Sequence, residues 1–381
     1  MNLVSPQPVA LNLPRVLFCA GALSALAGEL EAMGVRRPLL VTDQGLVAAG
    51  LAAKAIAACG KTAVPAIFDN VTENPLFADV DKGAAWYTQQ GCDGVVALGG
   101  GSVIDTAKMI ALLAANPGSC ATYAGVRNAA HGPAAPLIVI PTTAGTGSEA
   151  SPSAGIHPDA ATASVGMNSR HLVPKLAILD PDLTRSLPAR LTAATGVDAL
   201  SHCIEGFLSK KDIPLGKSIA LDGIARVARN LRRAVANRDD ALSRGEMMLA
   251  AFAGGASIGM GLGPAHAIAI ACSDQGFHHG VLSGIGLVAT LDATSAHVPD
   301  RAAEIAMAMG LERTASPGQA VASLMRELDL PATLAELKYV PRDLPALALA
   351  AHQSYFNLSA PFHPTASDYA AMLTQSLSTN P

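Results

Sequence analysis

Asp198, His202, His266 and His279 are the residues of this chain whose types suit a shared piece of chemistry. Asp198 and His202 stand four apart in Thr195-Gly-Val-Asp-Ala-Leu-Ser-His-Cys-Ile-Glu205, a helix-like segment, so their side chains share one helix face. His266 follows Gly261-Leu-Gly-Pro-Ala, and His279 precedes Gly280. One carboxylate and three imidazoles suit a divalent transition metal with a coordination position left for substrate. The alternative is four unrelated polar residues in a helical core, because spacing by itself does not bring them together.

The elements that would position these residues fall into two textures. Apolar strand-like runs occur at Arg15–Cys19, Pro38–Thr42, Ala63–Phe68, Gly94–Leu98, Leu137–Pro141 and Leu176–Leu179. Helix-like stretches Ala22–Met33, Leu46–Cys59, Phe77–Gln90 and Ser102–Ala114 lie between them. That alternation predicts βα units and a mostly parallel sheet, which binds ligands at the carboxyl ends of its strands. After Pro181–Pro188 only helical periodicity remains, in Leu191–Ser209, Leu215–Ala236, Gly245–Ile258, Ala302–Met309 and Gly318–Leu328. The expected organisation is an α/β domain over 1–187 and an all-helical domain over 188–381. A chain of 381 residues is longer than one core usually absorbs.

Two strand-end loops suit a dinucleotide. Gly99-Gly-Gly-Ser102 joins an apolar strand to a helix, where glycines admit a pyrophosphate and free N–H groups bind its charge. The alternative is a tight turn needing positive φ. Thr142, Thr143, Thr146 and Gly147 lie in the second loop, Pro141–Glu149. Asp43, at the end of the strand Leu39–Thr42, either accepts hydrogen bonds from a ribose diol, favouring NAD over NADP, or caps a helix.

Other classes are disfavoured. Net charge is −4 with no basic stripe, against a nucleic-acid partner or an anionic membrane surface. The six cysteines form no CxxC pair, which fits reduced thiols in a cytoplasm. Met1–Pro14 lacks the features of a signal peptide. The uncharged run Met247–Ala265 is long enough to span a bilayer but holds five glycines and lacks basic flanks, so a buried helix is expected.

Together these segments resemble the iron-containing (group III) alcohol dehydrogenases over nearly the whole chain. The resemblance rests on Gly99–Lys108, Pro141–Glu149, Leu179–Leu183, Thr195–Glu205 and Gly261–Gly280. Within that family the chain looks most like the 4-hydroxybutyrate dehydrogenase branch, on Arg37–Asp43, Leu191–Gly196, His202–Glu205, His278–Gly280 and Ala366–Leu373. The resemblance implies a Rossmann-like parallel sheet with an all-α C-terminal domain, the architecture shared with dehydroquinate synthase. It implies Fe²⁺ or Zn²⁺ on Asp198, His202, His266 and His279. It also implies NAD(H) on Asp43, Gly99, Gly100, Gly101, Ser102, Thr142, Thr143, Thr146 and Gly147, and a homodimer. The implied reaction is hydride exchange between nicotinamide and a short, anionic ω-hydroxy compound or its semialdehyde, as in 4-hydroxybutyrate and succinic semialdehyde.

The chain also departs from that family. Ile270 stands where the family usually has a second histidine, Ser164 where it often has a lysine, and Ala360-Pro-Phe-His363 where it has Asn-Pro-Arg. Ile270 cannot carry a proton. Water or the ribose hydroxyls replace the histidine, or another histidine does (His278, His352 or His363), or turnover is lost and the protein only binds nucleotide and metal. The altered segment Ile270–Gly276 leaves open a phosphonate- or sulfonate-bearing aldehyde, with Arg127, Arg170 and His363 as possible anion contacts. Metal-dependent cyclases of the dehydroquinate synthase kind are the competing enzyme class.

Overall fold

In the computed structural model, residues 10–125, 132–160 and 162–378 are described. They form two compact units, Asn12–Leu187 and one built on Pro188–Pro381. Arg127 lies outside the described residues.

The first unit holds strands β1 (Arg15–Phe18), β2 (Pro38–Val41), β3 (Ala66–Phe68), β4 (Gly94–Gly99), β5 (Leu137–Pro141), β6 (Ser153–Ile156), β7 (Val165–Asn168) and β8 (Leu176–Leu179). Six of them make one parallel sheet in the order β1-β8-β5-β4-β2-β3. The inner strands β2, β4, β5 and β8 are buried at every residue. That explains their unbroken apolar runs, since helices cover both faces of a parallel sheet. The helices are α1 (Leu26–Ala32), α2 (Gln44–Ala48), α3 (Leu51–Ala58), α4 (Phe77–Gln89), α5 (Gly101–Ala115) and α6 (Cys120–Tyr123). Leu40, Val96, Leu98, Ile138, Ile140 and Ile178 form one core with residues of α1 and α3.

Two local expectations change. The helix expected over Leu46–Cys59 is two helices, α2 and α3, because Gly50 between them sits at φ 76°. The antiparallel hairpin β6–β7 was not legible, since Ser153–Ile156 and Val165–Asn168 alternate over only four residues each, with Ser, Gly and Asn between the apolar positions.

The second unit is helical. The helices that build the candidate site and its surroundings are α7 (Ala189–Leu208), α8 (Pro214–Ala236), α9 (Ala241–Ile258), α10 (Pro264–Ala271) and α11 (His279–His297). From Thr192 to Leu208 every residue of α7 is buried, the mark of a helix surrounded by others. The uncharged run Met247–Ala265 is the end of α9, a break at Gly259–Gly263 and the start of α10. Gly261 stands at φ 103° in that break. Among the described residues no helix is long and apolar enough to cross a membrane.

Candidate functional site

α7 supplies the base of the site. Asp198, His202 and Glu205 recur at i, i+4 and i+7, one stripe of the helix facing α10 and α11. α10 brings His266 to that stripe, and the first residue of α11 is His279. Donor atoms of Asp198, His202 and His266 lie within 4.8 Å of one another, and all three residues are buried. His202 Nδ1 is 4.0 Å from Asp198 Oδ2, and His266 Nε2 is 4.0 Å from Asp198 Oδ1. His279 Nε2 lies 3.8 Å from Asp198 Oδ1, with its side chain 42 % exposed. It therefore stands at the rim of a cluster whose other members are enclosed.

These separations are too long for hydrogen bonds. They are slightly wider than the about 3.4 Å expected between ligands about 2.1 Å from a common ion. His266 Nε2 is buried with no hydrogen-bond partner and faces Asp198. A buried, unpaired ring nitrogen is costly unless something fills the place beside it. The donor set thus fits a divalent metal. Burial raises the Asp198 carboxyl, but His202, His279, His266 and a Ser283 hydrogen bond outweigh it and hold Asp198 down to about 2. The carboxylate is charged at any working pH, as a metal ligand must be.

Three contributors to this cluster were missed at the level of sequence. Ser283 Oγ donates to Asp198 Oδ1 at 2.9 Å. It stands one turn after His279 on α11, so helical spacing alone contained the signal. Glu205 accepts from His266 Nδ1 at 2.5 Å and from Ala265 N at 2.7 Å. Phe356 meets His266 edge-on at 5.9 Å between ring centroids, and Tyr355 lies 4.2 Å from Phe356. The fully buried Asn357 anchors that segment, donating to Ala351 and His352 carbonyls and accepting from Tyr369 Oη at 2.6 Å. No motif pointed to it, because the contact joins residues far apart in the chain.

Ile270 is one turn beyond His266 on α10, so the two share a helix face and the wall there is apolar. Of the histidines expected to replace it, His278 caps α11, its Nδ1 accepting from Gly280 N at 3.1 Å. That bond puts the proton of a neutral ring on Nε2. His363 is exposed and engages the carbonyl of His352 through Nε2 at 3.1 Å. The His352 ring lies tilted against His363, 5.0 Å between centroids, and its Nδ1 lies 2.9 Å from the Pro364 carbonyl. Arg170, in the first unit, is exposed beside His171.

The dinucleotide candidates sit together at one end of the sheet. Gly99 and Pro141 are partners in the β4–β5 ladder, so both loops leave adjacent central strands at the same level. Asp43 follows β2, the next strand. The glycines serve close approach and not unusual dihedrals, since none of Gly99, Gly100 or Gly101 has positive φ. A Cβ on Gly101 would meet Thr146 Cγ2 at 2.5 Å, and one on Gly99 would meet Val103 at 2.6 Å. No side chain caps α5, whose first N–H groups follow Gly100. Ser102 Oγ bonds the Glu73 carbonyl, so this residue offers a ligand its backbone. Asp43 Oδ1 accepts from Leu46 N at 2.9 Å, which makes it the cap of α2 and leaves its second oxygen for other contacts.

α5 also carries charges that fix the second loop. Lys108, with no exposed surface, donates to the Ser151 and Ser153 carbonyls at 2.9 and 2.7 Å. Asp105 accepts from Ser148 Oγ and, at 2.8 Å, from Gly155 N. Burial lowers Lys108 to about 8 against the opposing charges of Asp105 and Glu149. Burial raises Glu149 to about 7 against a backbone hydrogen bond and Lys108.

The comparisons with known proteins divide at the same place as the fold. Residues 14–181 match the family described as iron-containing alcohol dehydrogenase, and 192–377 match the C-terminal part of the Fe-containing alcohol dehydrogenase family. The chain is 41% identical to 4-hydroxybutyrate dehydrogenase of Cupriavidus necator over 370 residues, 94% of this chain and 96% of that one. Its structure is similar to that of 1,3-propanediol oxidoreductase, with TM-score 0.92 and 30% identity, covering 97% of this chain and 100% of the other. It is also similar to sulfoacetaldehyde reductase from Bifidobacterium kashiwanohense in complex with NAD⁺, with TM-score 0.88 and 29% identity over 97% and 98% of the two chains. Strand-end loops in one unit and a carboxylate–imidazole cluster in the other each fall within a matched half, and the protein belongs to the iron-containing alcohol dehydrogenases.

Proposed function

We propose that this protein is a metal-dependent, NAD(H)-linked oxidoreductase that interconverts a short ω-hydroxy acid and its semialdehyde, with 4-hydroxybutyrate and succinic semialdehyde as the leading pair. The observation that carries the catalytic reading is the convergence of Asp198, His202 and His266, with His279 at the rim. The substrate reading rests on the 41% identity to the Cupriavidus necator enzyme.

Asp198, His202, His266 and His279 would hold Fe²⁺ or Zn²⁺, between which this donor set does not select strongly. Bound there, the metal supplies Lewis-acid polarisation of a substrate oxygen and the nicotinamide supplies the hydride chemistry. Asp198 brings the negative charge to the ligand set, and burial removes competing water from the three inner donors. The N–H groups that follow Gly100 bind the pyrophosphate, with Gly99, Gly101 and Ser102 lining the approach. Thr142, Thr143, Thr146 and Gly147 contact the nucleotide, and the second oxygen of Asp43 accepts from the ribose.

Ile270 leaves the proton to another group, and we assign that role to His278 in preference to His363. His278 adjoins the ligand His279 and presents a protonated Nε2, whereas His363 is exposed and turned to a carbonyl. The free cysteines support a reducing compartment such as the cytoplasm, and the family resemblance supports a homodimer.

The test is NADH oxidation by anaerobically purified, Fe²⁺-loaded protein across short aldehydes bearing a carboxylate, a sulfonate or a phosphonate. Succinic semialdehyde is expected to give the highest kcat/KM, and chelator is expected to abolish the rate. A sulfonate or phosphonate preference would replace the substrate assignment. Silence from protein that holds metal and NADH would mean lost turnover, and product formation without net NADH consumption would point to a cyclase.

A further inference from the structure

Glu205 belongs to no ligand set, yet it is 5% exposed among helices and its carboxylate is fully engaged. Oε1 accepts from Ala265 N at 2.7 Å. Oε2 accepts from His266 Nδ1 at 2.5 Å and lies 3.4 Å from His266 N. Three donors of one helix start, two backbone and one imidazole, converge on a side chain from another helix. The start of α10 has no side-chain cap of its own, so Glu205 does the work of one from outside. The approach passes close to Gly263, where a Cβ would lie 2.9 Å from Glu205 Oε1.

We infer that Glu205 is the positioning residue for His266: from the α7 stripe that carries Asp198 and His202, it fixes the rotation of the His266 ring and keeps the Nδ1 proton in place, so that Nε2 faces Asp198 as a lone pair. This rests on the reading of Asp198, His202, His266 and His279 as metal ligands. An imidazole can ligate through Nε2 only when that nitrogen carries no proton. A carboxylate at Nδ1 selects that tautomer, and it accepts the Ala265 N–H with the same group. α7 therefore determines three of the four ligand positions, two by its own side chains and one through Glu205.

The discriminating variant is Glu205→Gln. A glutamine has one acceptor and one donor end. It can serve Ala265 N–H or His266 Nδ1–H, and its amide NH₂ then opposes the other. If it keeps the cap, His266 must turn Nδ1 into an acceptor and move its proton to Nε2, the metal-facing nitrogen. Helix content and NADH binding are expected to stay at wild-type values, while affinity for Co²⁺, used as a spectroscopic probe in competition with a chelator, falls about 10- to 100-fold. His266→Ala is the control. If His266→Ala holds Co²⁺ as wild type does, the ligand reading itself fails. If His266→Ala loses the metal and Glu205→Gln retains full affinity, the positioning role is overturned. A second measurement needs no variant: ¹⁵N shifts of His266 in metal-free wild type, read above the end of its titration, which, against burial, the Glu205 hydrogen bond and the charges of Glu205 and Asp198 push up, so that the ring carries a single proton. A protonated Nδ1 supports the assignment, and a protonated Nε2 overturns it.

Discussion

Individual residues carry opposite burdens in the two units. In the candidate metal cluster, burial is offset: Asp198 is held down to about 2 by its histidines. In the first unit Glu149 is buried and held up, to about 7, with Lys108 as a partial counterweight. Between the ordinary carboxyl value of 4.5 and about 7, the folded chain keeps a proton that the unfolded chain has released. The folded state binds more protons there, so this group makes stability fall as pH rises through that window. Glu149→Gln removes the effect, and its melting temperature is expected to depend less on pH between about 4.5 and 7 than that of wild type, as thermal denaturation at several pH values would read. At the other site, His278→Asn keeps a helix-capping side chain but not an imidazole. It is expected to lower kcat by about 10²-fold or more, the scale of lost acid–base help. His363→Ala is expected to leave kcat unchanged. Steady-state kinetics on metal-replete protein checks both.

At the scale of elements, close helix and loop approaches place the chemistry. A Cβ on Gly280 would lie 2.3 Å from the Ala194 carbonyl oxygen and 3.1 Å from Asp198 Cβ. α11 can therefore bring His279 to Asp198 only with glycine beside it. Gly280→Ala is expected to cost about 1–3 kcal/mol by overpacking and to lower metal content, measured by denaturation and elemental analysis. In the sheet domain Gly101 admits Thr146 in the same way. Gly101→Ala is expected to weaken NADH binding and leave metal content at the wild-type value, as fluorescence titration and elemental analysis would read. The paired result separates the two sites by element: one glycine for the nucleotide loops, the other for the ligand helices.

At the scale of the whole molecule, all nucleotide candidates lie in Asn12–Leu187 and all metal candidates beyond Pro188. Each ligand should therefore stabilise its own unit. In calorimetry NADH is expected to raise the transition of the first unit and metal that of the second, by about 2.7 kcal/mol at 100 times the dissociation constant. A single transition that both ligands shift equally would show that the units unfold as one. Much of this organisation was legible from sequence because it is periodic. The unbroken apolar runs of β2, β4, β5 and β8 follow from strands buried on both faces, and Asp198 and His202 follow from a helical step. The sequence by itself thus determined the sheet, the helical half, the candidate residues for metal and nucleotide, and the absence of a histidine at Ile270. Only the tertiary structure decided that three of the four candidate ligands converge in a buried cluster while His279 stays at the rim, that Glu205 holds His266, that Phe356 walls it and that Asp43 caps α2. The physical reason is range: periodicity reports which face of an element is buried, whereas a hydrogen bond across 61 positions, as between Glu205 and His266, depends on how two helices pack.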